Sequence, residues 1–346
     1  MKKLFKDKRI LVTGSCGTVG SELIDQLLTC EDYDIKEIVG IDSNESQLFF
    51  QDQKYLSEAR ASFFVADIRD RNELINKMSG IDIVFHAAAL KHVILSERSP
   101  EQAVLTNIKG VENVIRAAKS NNVESVIFTS SDKAVNPTNV MGTTKLMGER
   151  LMTAANSNKR EHGPIFTSTR FGNVLGSNGS VVQIFKQQIA TGGPVTLTDK
   201  NMTRFVMSVQ EAVYLVIDSA LQAKGGEVFV TKMPVMRIED LAQAMVEVLA
   251  PKYGYTKDQI EIVEVGVKPG EKIYEELLSS EETGRSVELK KYFSVLPAFR
   301  GLYTDINYEY DDVCNTNIDD PYISEKISAL SVDEIKSFLE SNNLFD

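Results

Sequence analysis

The stretch that decides the fold is RILVTGSCGTVG, residues 9–20. Its first five residues form a short run rich in β-formers. Beyond the glycines, Leu23, Ile24, Leu27 and Leu28 recur at the spacing of one helical face. The stretch therefore predicts a β-strand, a glycine turn and an α-helix in that order.

Downstream segments repeat this alternation. Short apolar runs that predict buried strands occupy residues 38–41, 63–66, 81–85 and 126–128. Segments of helical composition separate them, notably residues 101–120 and 142–155. Near-continuous apolar strands joined by helices are typical of a parallel sheet that is covered on both faces. The sequence therefore predicts an α/β fold with a doubly wound parallel sheet.

The pattern changes after Thr169. Glycine and asparagine crowd residues 172–179, and the later elements are shorter and less regular. From Glu281 the chain is acidic and rich in Asp, Asn and Tyr, with a last helix at residues 331–341. We predict a cofactor-binding domain at residues 1–170 and a smaller substrate-binding lobe at residues 171–346, partly interwoven with the first.

Composition disfavours several classes of protein. The 346 residues include 38 Lys and Arg against 49 Asp and Glu, a net charge of −11, which disfavours nucleic-acid binding. No apolar run reaches the roughly 18 residues that span a bilayer, and the basic N-terminus lacks the apolar stretch of a secretory signal. The three cysteines are widely spaced and predict neither disulfides nor a metal site. We expect a cytoplasmic protein with reduced thiols.

The glycines of the first turn, Gly14, Gly17 and Gly20, have the spacing GxxGxxG. Glycine is required where a backbone turns tightly, approaches a pyrophosphate or packs a helix on a strand. The helix that begins at Thr18 and Val19 would offer unpaired N–H groups to the phosphates. The turn therefore predicts a dinucleotide site, although a glycine turn alone is also compatible with a structural role.

Two acids follow at the ends of strands. Asp42 ends the second strand, 22 residues past Gly20. An acid there accepts hydrogen bonds from the ribose hydroxyls of NAD and repels the 2′-phosphate of NADP. No Lys or Arg in residues 43–46 would meet that phosphate. Asp67, with Ile68 beside it, closes the third strand and predicts contact with the adenine. These residues favour NAD; the alternatives are a strand-end cap at Asp42 and a turn acid at Asp67.

Three features together resemble the extended short-chain dehydrogenases/reductases, which have a Rossmann fold. They are the glycine spacing, His86-Ala87-Ala88-Ala89 after the fourth strand, and Asn107. That family carries Tyr-x-x-x-Lys on the helix after the fifth strand, where this sequence has Met141 and Lys145. Methionine neither donates nor accepts a proton, so the usual mechanism cannot run unchanged. The resemblance implies cofactor contacts at Ala87, Ala88, Lys91, Asn107 and Lys145.

Five further segments are similar to the UDP-N-acetylglucosamine 4,6-dehydratases of the polysaccharide-biosynthesis group: residues 90–93, 130–139, 170–177, 203–205 and 268–277. They occur in the family's order, and the resemblance covers roughly residues 8 to 280. Ser131 stands where the family commonly has threonine, which keeps the hydroxyl. The resemblance implies a lyase that removes water from UDP-N-acetylglucosamine, using NAD, for glycan or nonulosonic-acid synthesis.

The implied reaction is an internal redox cycle. Hydride passes from carbon 4 of the sugar to NAD⁺, a base removes the carbon-5 proton, an acid protonates the leaving carbon-6 hydroxyl, and hydride returns to carbon 6. By resemblance, Lys133 is the base and Asp132 the acid. Desolvation beside Lys145 and the cationic nicotinamide predicts a lowered pKa for Lys133, and burial predicts a raised pKa for Asp132. Without the tyrosine, the acceptor of the carbon-4 hydroxyl proton is Ser131, Lys145, Asp132 or water.

The remaining motif residues resemble substrate contacts. Arg204 suits a diphosphate because its fork can bond two oxygens. The family match implies substrate contacts at Asn173 and Lys91 and a uridine-ribose contact at Glu271. The alternative for each is a loop or salt-bridge residue. His92 is expected to be structural, and no cluster of His, Cys and Asp has metal-ligand spacing.

Two other functions fit the same sequence. One is a nucleotide-sugar epimerase, or a dehydratase that also epimerises carbon 5. The other is a catalytically silent NAD-sensing scaffold, which the missing tyrosine suggests. The retained residues 131–133 and Lys145 argue against the scaffold, since a sensor needs no proton-transfer pair. By resemblance we expect at least a dimer, formed by the helices at residues 101–120 and 142–155.

Overall fold

The computed structural model describes residues 4–159, 163–177, 179–267, 270–299 and 305–345. Lys268 and Pro269 of the motif at residues 268–277 lie outside the described residues. The strands are β1 (Arg9–Thr13), β2 (Glu37–Asp42), β3 (Ala61–Val65), β4 (Ile83–His86), β5 (Ser125–Ser131), β6 (Ile165–Phe171), β7 (Asn173–Val174), β8 (Val195–Leu197), β9 (Thr203–Met207), β10 (Val228–Thr231), β11 (Val235–Arg237), β12 (Ile262–Glu264), β13 (Glu276–Leu278), β14 (Ser286–Leu289), β15 (Tyr292–Val295), β16 (Val313–Asn315) and β17 (Tyr322–Ile323). The α-helices are α1 (Thr18–Thr29), α2 (Glu45–Lys54), α3 (Arg71–Lys77), α4 (Val93–Arg98), α5 (Pro100–Val104), α6 (Gly110–Ser120), α7 (Val140–Ser157), α8 (Val181–Ala190), α9 (Val209–Gln222), α10 (Ile238–Lys252), α11 (Ser280–Thr283) and α12 (Val332–Ser341).

Ten strands of the described residues form the central sheet, in the order β16-β14-β15-β10-β6-β5-β4-β1-β2-β3. From β10 to β3 every neighbouring pair is parallel, which confirms the predicted doubly wound parallel sheet. At the other edge, β15, β14 and β16 add in antiparallel pairings. These three strands come from the acidic C-terminal region, whose place in the fold the sequence did not predict.

Helices cover both faces of the parallel part of the sheet. Alternate residues of a strand point to opposite faces. On β1, Ile10 and Val12 belong to the apolar cluster that includes α1 and α9, whereas Leu11 belongs to the cluster of α3, α6 and α7. Because both faces are covered, ligands are expected at the carboxyl ends of the strands, where the loops converge.

The helix predicted at residues 101–120 is present, but its winding is not uniform. Between α5 and α6 lies a π-helical turn, Leu105–Lys109. A Cβ on Gly110 would lie 2.5 Å from Cδ1 of Ile68, so the start of α6 leaves room for Ile68 only because the residue there is glycine. The amino-acid composition of a helical segment does not show whether it forms an α-helix or a π-helix.

Residues beyond 170 build a second core and also return to the first. The second core packs α8, α10 and α12 against the short strands around them, through Phe185, Leu241, Met245, Ile335 and Leu339. In contrast, β10 joins the central sheet, and α9 packs with α1. The last helix, α12, begins after Ser331, which caps it. The domain division at residue 170 stays a prediction.

A buried ion cluster fastens β6 to α7 and α11. The side chain of Arg170 is 1% exposed, and its Nε and Nη2 bond the carboxylate of Glu149 at 3.0 and 2.6 Å. Nη1 and Nη2 each reach an oxygen of Glu282 at 3.0 Å, and Nη1 also bonds the carbonyl of Leu277 at 2.8 Å. Removal of the guanidinium would leave the buried carboxylate of Glu149 without its hydrogen-bonded cation, and that of Glu282 with only Arg285 at 3.9 Å.

Arg170→Met is therefore expected to lower the free energy of unfolding by about 3–5 kcal/mol. Urea denaturation followed by circular dichroism measures this loss. Lys54→Met is the matched control, because the ion pair of Lys54 with Asp25 is partly solvent-exposed and such pairs contribute less than about 1 kcal/mol. Equal losses in the two variants would contradict the structural importance of the buried cluster.

Candidate active site

The glycine turn after β1 lies against the end of β4. Gly14 has φ +69°, and a Cβ there would lie 2.7 Å from the Cα and the nitrogen of Ala88. A Cβ on Gly20 would lie 2.1 Å from the carbonyl oxygen of Gly14. The N–H of Gly17 donates to that same oxygen at 3.0 Å. A side chain at the first or third glycine would therefore disrupt the turn.

The end of β4 is tied to β1 by two hydrogen bonds. The N–H of Ala87 donates to the carbonyl of Thr13 at 3.1 Å, and that of Ala88 donates to the Thr13 hydroxyl at 3.3 Å. The same hydroxyl lies 2.7 Å from Nδ1 of His86, whose pKa burial lowers to about 3. The imidazole is therefore neutral, and the predicted cofactor residues Ala87 and Ala88 are held beside the glycine turn.

Asp42 lies at the end of β2, beside the glycine turn. Its Oδ2 accepts a hydrogen bond from the N–H of Cys16 at 3.1 Å, and its Oδ1 accepts one from the N–H of Asn44 at 2.9 Å. Because a carboxylate oxygen can accept two hydrogen bonds, each keeps the capacity for a ribose hydroxyl. Burial and the charge of Asp42 raise the pKa of the Cys16 thiol to about 11, so this thiol is protonated at neutral pH.

Asp67 forms an ion pair with Arg69, which the sequence analysis missed. Nε of Arg69 lies 3.0 Å from Oδ1 and 2.8 Å from Oδ2 of Asp67, and the backbone N–H of Arg69 donates to Oδ1 at 2.8 Å. Hydrogen bonding by Arg69 lowers the pKa of Asp67, which is therefore an ionised acceptor. The next residue, Ile68, is buried against α6.

Asn107 lies in the π-helical turn and holds the loop that carries Lys91. Its Oδ1 accepts from the N–H of Leu90 at 2.8 Å, and its Nδ2 donates to the carbonyl of Leu90 at 2.9 Å and the hydroxyl of Thr144 at 3.0 Å. Asn107 is buried, and Lys91 is exposed. These bonds fix the loop between β4 and α4, while the cofactor contacts of Asn107 and Lys91 stay predictions.

The predicted catalytic residues end β5 or follow it directly. Asp132 and Lys133 begin a 3₁₀ turn, and their side chains are 2% and 31% exposed. Nζ of Lys133 lies 3.0 Å from Oδ2 and 3.2 Å from Oδ1 of Asp132. Ser131 donates its hydroxyl to Asp132 and accepts from the N–H of Lys133 at 3.2 Å. The three residues form one hydrogen-bonded unit.

A further carboxylate, Glu275, completes this unit and was missed by the sequence analysis. Its Oε1 lies 3.7 Å from Nζ of Lys133 and 3.2 Å from Nε of Arg204. Asn173 donates to both of its oxygens, at 2.8 and 2.9 Å, and the N–H of Phe205 donates to Oε2 at 3.1 Å. Nothing in the sequence distinguishes this buried glutamate from the other glutamates of the motif at residues 268–277.

The predicted pKa shifts of Asp132 and Lys133 are wrong in direction. Burial disfavours the ammonium of Lys133, but the charges of Asp132 and Glu275 outweigh burial and raise its pKa. Burial also disfavours the carboxylate of Asp132, but the charge of Lys133 and hydrogen bonds from Ser131 and Lys133 lower its pKa. For Glu275, burial and the charge of Asp132 raise the pKa to about 7. An ion pair therefore lies beside a carboxyl that titrates near neutrality.

The guanidinium of Arg204 is largely bonded to protein. Beside its contact with Glu275, Nη1 donates to the carbonyls of Thr203 at 2.8 Å and Ile273 at 3.2 Å. Nη2 donates to the carbonyl of Lys272 at 2.9 Å. Arg204 thus anchors the segment that carries Glu275, and its assignment as a diphosphate clamp stays a prediction.

Met141 and Lys145 lie one turn apart on α7. Met141 is 3% exposed and provides no group for proton transfer. Lys145 is buried, and its Nζ donates to the carbonyl of Thr129 at 3.0 Å and lies 4.7 Å from the centre of the Phe128 ring. Burial lowers the pKa of Lys145 to about 8, so this lysine can release a proton near neutral pH.

A cavity of about 580 Å³ opens beside the turn after β5. Its walls come from α4, from this turn and from the segment at residues 270–276. They include the predicted site residues Asp132, Lys133, Asn173, Arg204 and Glu271, together with His92 and Glu275. Of the other predicted catalytic and substrate-binding residues, Lys91, Ser131, Met141 and Lys145 are not part of its lining.

The rest of the described chain offers no metal centre and no disulfide. Within the described ranges, no group of His, Cys, Asp and Glu is arranged to hold a metal ion. The three cysteines are free thiols: Cys16 and Cys30 are partly buried and Cys314 is exposed. No helix in the part of the chain that the structure describes is long and apolar enough to cross a membrane.

Similarity to known proteins identifies the family. Residues 10–297 match the family model described as "Polysaccharide biosynthesis protein". This chain belongs to the polysaccharide biosynthesis protein family. An inverting UDP-N-acetylglucosamine 4,6-dehydratase of Campylobacter jejuni is 36% identical over 88% of this chain and 87% of its own length. The resemblance found in the sequence motifs is thereby confirmed.

Other proteins that are similar to this chain have different names. "Uncharacterized membrane protein MJ1061" of Methanocaldococcus jannaschii is 48% identical over 86% of this chain and 88% of its own length. A UDP-glucose 4-epimerase of Rickettsia bellii is 36% identical over 97% of this chain and 96% of its own. The solved structure of Pen from Bacillus thuringiensis has a TM-score of 0.88 at 37% identity and covers 99% of both chains. The relatives' names include both a dehydratase and an epimerase.

Proposed function

We propose that this protein is a UDP-N-acetylglucosamine 4,6-dehydratase that uses tightly bound NAD and releases a UDP-2-acetamido-2,6-dideoxy-hexos-4-ulose. The observation that carries the proposal is the hydrogen-bonded unit of Ser131, Asp132 and Lys133, of which Asp132 and Lys133 line a cavity. An adjacent acid and base are what water loss across two carbons requires. The relative from Campylobacter jejuni, which is named for this activity, supports the same substrate.

The glycine turn and Asp42 fit NAD. A Cβ at Gly14 or Gly20 would clash with the backbone of Ala88 or of Gly14, so the tight turn that suits a pyrophosphate requires glycine at both positions. Thr18 and Val19 begin α1, where N–H groups and the helix dipole favour phosphate. Asp42 would accept the ribose hydroxyls. When bound, NAD would supply the reversible hydride transfer that oxidises carbon 4 and reduces carbon 6.

The Asp132–Lys133 pair can prepare both proton transfers in one internal step. A base must be unprotonated and an acid protonated, whereas the resting pair is an ammonium and a carboxylate. Movement of one proton across the 3.0 Å from Nζ to Oδ2 gives an amine and a carboxylic acid together. Lys133 then removes the carbon-5 proton, and Asp132 protonates the leaving carbon-6 hydroxyl. Both groups return to their resting charges.

A nucleotide-sugar epimerase is the second candidate, which the name of the Rickettsia bellii relative favours. Epimerisation at carbon 4 leaves the carbon-6 hydroxyl in place and needs no acid to protonate it. A dehydratase product is lighter than its substrate by one water, an epimerase product has the same mass, and a silent scaffold gives no product. The three functions are therefore distinguished by the mass and identity of what is formed.

A second copy of the chain is the proposed protein partner, in a homodimer through the region of α6 and α7. Val104 and Leu105, just before α6, and Met147 on α7 are apolar side chains that are 42–46% exposed. Exposed apolar side chains in one region favour an interface. A UDP-sugar is the proposed small-molecule partner.

Incubation of the purified protein with UDP-N-acetylglucosamine is expected to give a product lighter by one water, which mass spectrometry detects. UDP-glucose, incubated in parallel and analysed by chromatography, tests for conversion to an isomer of the same mass. Unchanged UDP-N-acetylglucosamine would contradict the dehydratase. An isomer of UDP-glucose would then favour the epimerase, and no product from either sugar would favour the scaffold.

Lys133→Ala is expected to slow water loss by about 10²–10⁴-fold, because the carbon-5 proton loses its base. Exchange of that proton with deuterated solvent, measured by mass spectrometry, should fall in parallel, while NAD binding at the glycine turn is retained. Lys200→Ala, a change of an exposed lysine before β9, is the control. Exchange at the unaltered rate in Lys133→Ala would exclude Lys133 as the base and point to Lys145 or Asp132.

Asp42→Asn is expected to reduce the preference for NAD over NADP by about tenfold, because it removes the charge that repels the 2′-phosphate. Calorimetry with both nucleotides on cofactor-free protein measures the ratio of affinities. Asp34→Asn is the matched control, since Asp34 precedes the opposite end of β2. Tighter binding of NADP than of NAD by the unaltered protein would overturn the assignment of Asp42.

A further inference from the structure

Glu275 is an ionisable group of the site that the proton transfers described above do not use. It is 5% exposed, and its carboxylate is fixed by Asn173, by the N–H of Phe205 and by Arg204. Its backbone N–H donates to the hydroxyl of Ser324 at 2.9 Å. The carboxylate is thus held in place by groups other than the lysine that it faces.

Charged groups face Glu275 from two other elements. The turn after β5 presents Asp132 and Lys133, and β9 presents Arg204. The segment that carries Glu275 adds further charged residues to the same cavity: Glu271, Lys272 and Glu276. Nζ of Lys133 lies 3.0 Å from Asp132 and 3.7 Å from Glu275. The lysine therefore has one carboxylate as its hydrogen-bonded partner and a second within the range of direct electrostatic attraction.

We propose that Glu275 is a positioning residue that sets the protonation state of the Asp132–Lys133 pair. As a carboxylate, Glu275 holds Lys133 in the ammonium form. When Glu275 takes up a proton, Lys133 loses that attraction and holds its own proton less tightly. Transfer of that proton to Asp132 across 3.0 Å breaks one N–H bond and forms one O–H bond, and no co-reactant is needed.

The acid–base chemistry of the site supports this role. Burial and the neighbouring Asp132 raise the pKa of Glu275 to about 7, so its charge changes in the neutral range. An opposite charge within 4–6 Å commonly shifts a pKa by about 1–3 units. The presence of Glu275 therefore decides whether Lys133 has one compensating carboxylate or two. Only the catalytic consequence rests on the proposed function, since the effect on Lys133 exists without substrate.

The test is the titration of Lys133 in the intact protein without substrate. Trace acetic anhydride labels the unprotonated amine, and peptide mass spectrometry at a series of pH values gives the midpoint for Lys133. In Glu275→Gln the midpoint is expected to fall by about one pH unit or more, because a carboxylate that stabilises the ammonium is replaced by a neutral amide. An unchanged midpoint in folded Glu275→Gln protein would overturn the proposal.

Glu276→Gln is the matched control. Glu276 is the next residue, lines the same cavity and has the same charge, but it bonds Nδ2 of Asn136 at 2.7 Å and lies 3.7 Å from Lys272. The Lys133 midpoint is expected to stay at its unaltered value in this variant. An equal fall in both variants would show a general effect of the cavity's charge and would also overturn the proposal.

Glu275→Asp decides the question if Glu275→Gln does not fold. It keeps the charge but withdraws it from Lys133 by one methylene, so the Lys133 midpoint is expected to fall by less than in the amide variant. A midpoint equal to that of the unaltered protein would contradict the proposal. Where water loss is observed, the basic limb of the pH dependence of kcat/KM should move with the labelling midpoint, because above it the pair has lost the proton that the leaving hydroxyl needs. Failure to dehydrate UDP-N-acetylglucosamine would contradict the proposed function and leave the titration result standing.

Discussion

The contact of the Lys133 ammonium with the carboxylates of Asp132 and Glu275 joins segments that are far apart in the chain. Asp132 and Lys133 are placed by the end of β5, in the middle of the parallel sheet. Glu275 is placed by Arg204 on β9 and by Ser324, whose hydroxyl also lies 2.8 Å from that of Thr203. A buried charge without a partner costs several kcal/mol. The C-terminal half therefore has to pack against the end of the sheet so that Glu275 lies next to Asp132 and Lys133.

The parts of this arrangement that the sequence predicts are those with local causes. Strand and helix periodicity are properties of short windows, and they give the parallel sheet correctly. The glycines are required by contacts within one turn and with the adjacent end of β4, so their spacing is informative without the rest of the fold. The position of Asp42 is also predictable from local sequence. Asp42 is the last residue of β2, and the end of that strand lies beside the glycine turn. The family motifs also identify residues 131–133 as candidate site residues, and these three are adjacent in sequence.

The parts that the sequence does not predict depend on long-range contacts. The motif at residues 268–277 contains three glutamates, and only the fold shows that Glu275 faces Lys133. Arg204 has a side chain that suits a phosphate or a carboxylate, and its bonds to Glu275 and to nearby carbonyls are visible only in three dimensions. The pKa directions of Asp132 and Lys133 were wrong because burial was considered without the partner charges. For Asp132 and Lys133 the attraction of partner charges outweighs desolvation, whereas for Glu275 it does not.

In the proposed reaction, Met141 changes which group can accept the proton of the carbon-4 hydroxyl. In a Tyr-x-x-x-Lys pair the phenol can exchange a proton, whereas the thioether cannot. Lys145, on the same helix, is held by the carbonyl of Thr129, and burial lowers its pKa to about 8. The hydroxyl of Ser131 donates to Asp132, so a proton passed through Ser131 would reach the Asp132–Lys133 pair. That pair already makes the proposed proton transfers at carbon 5 and at the carbon-6 hydroxyl. Lys145 is separate from that pair and titrates close to neutral pH. Methionine thus removes one proton acceptor of the proposed reaction, and Lys145, on the same helix, stays a candidate for that role.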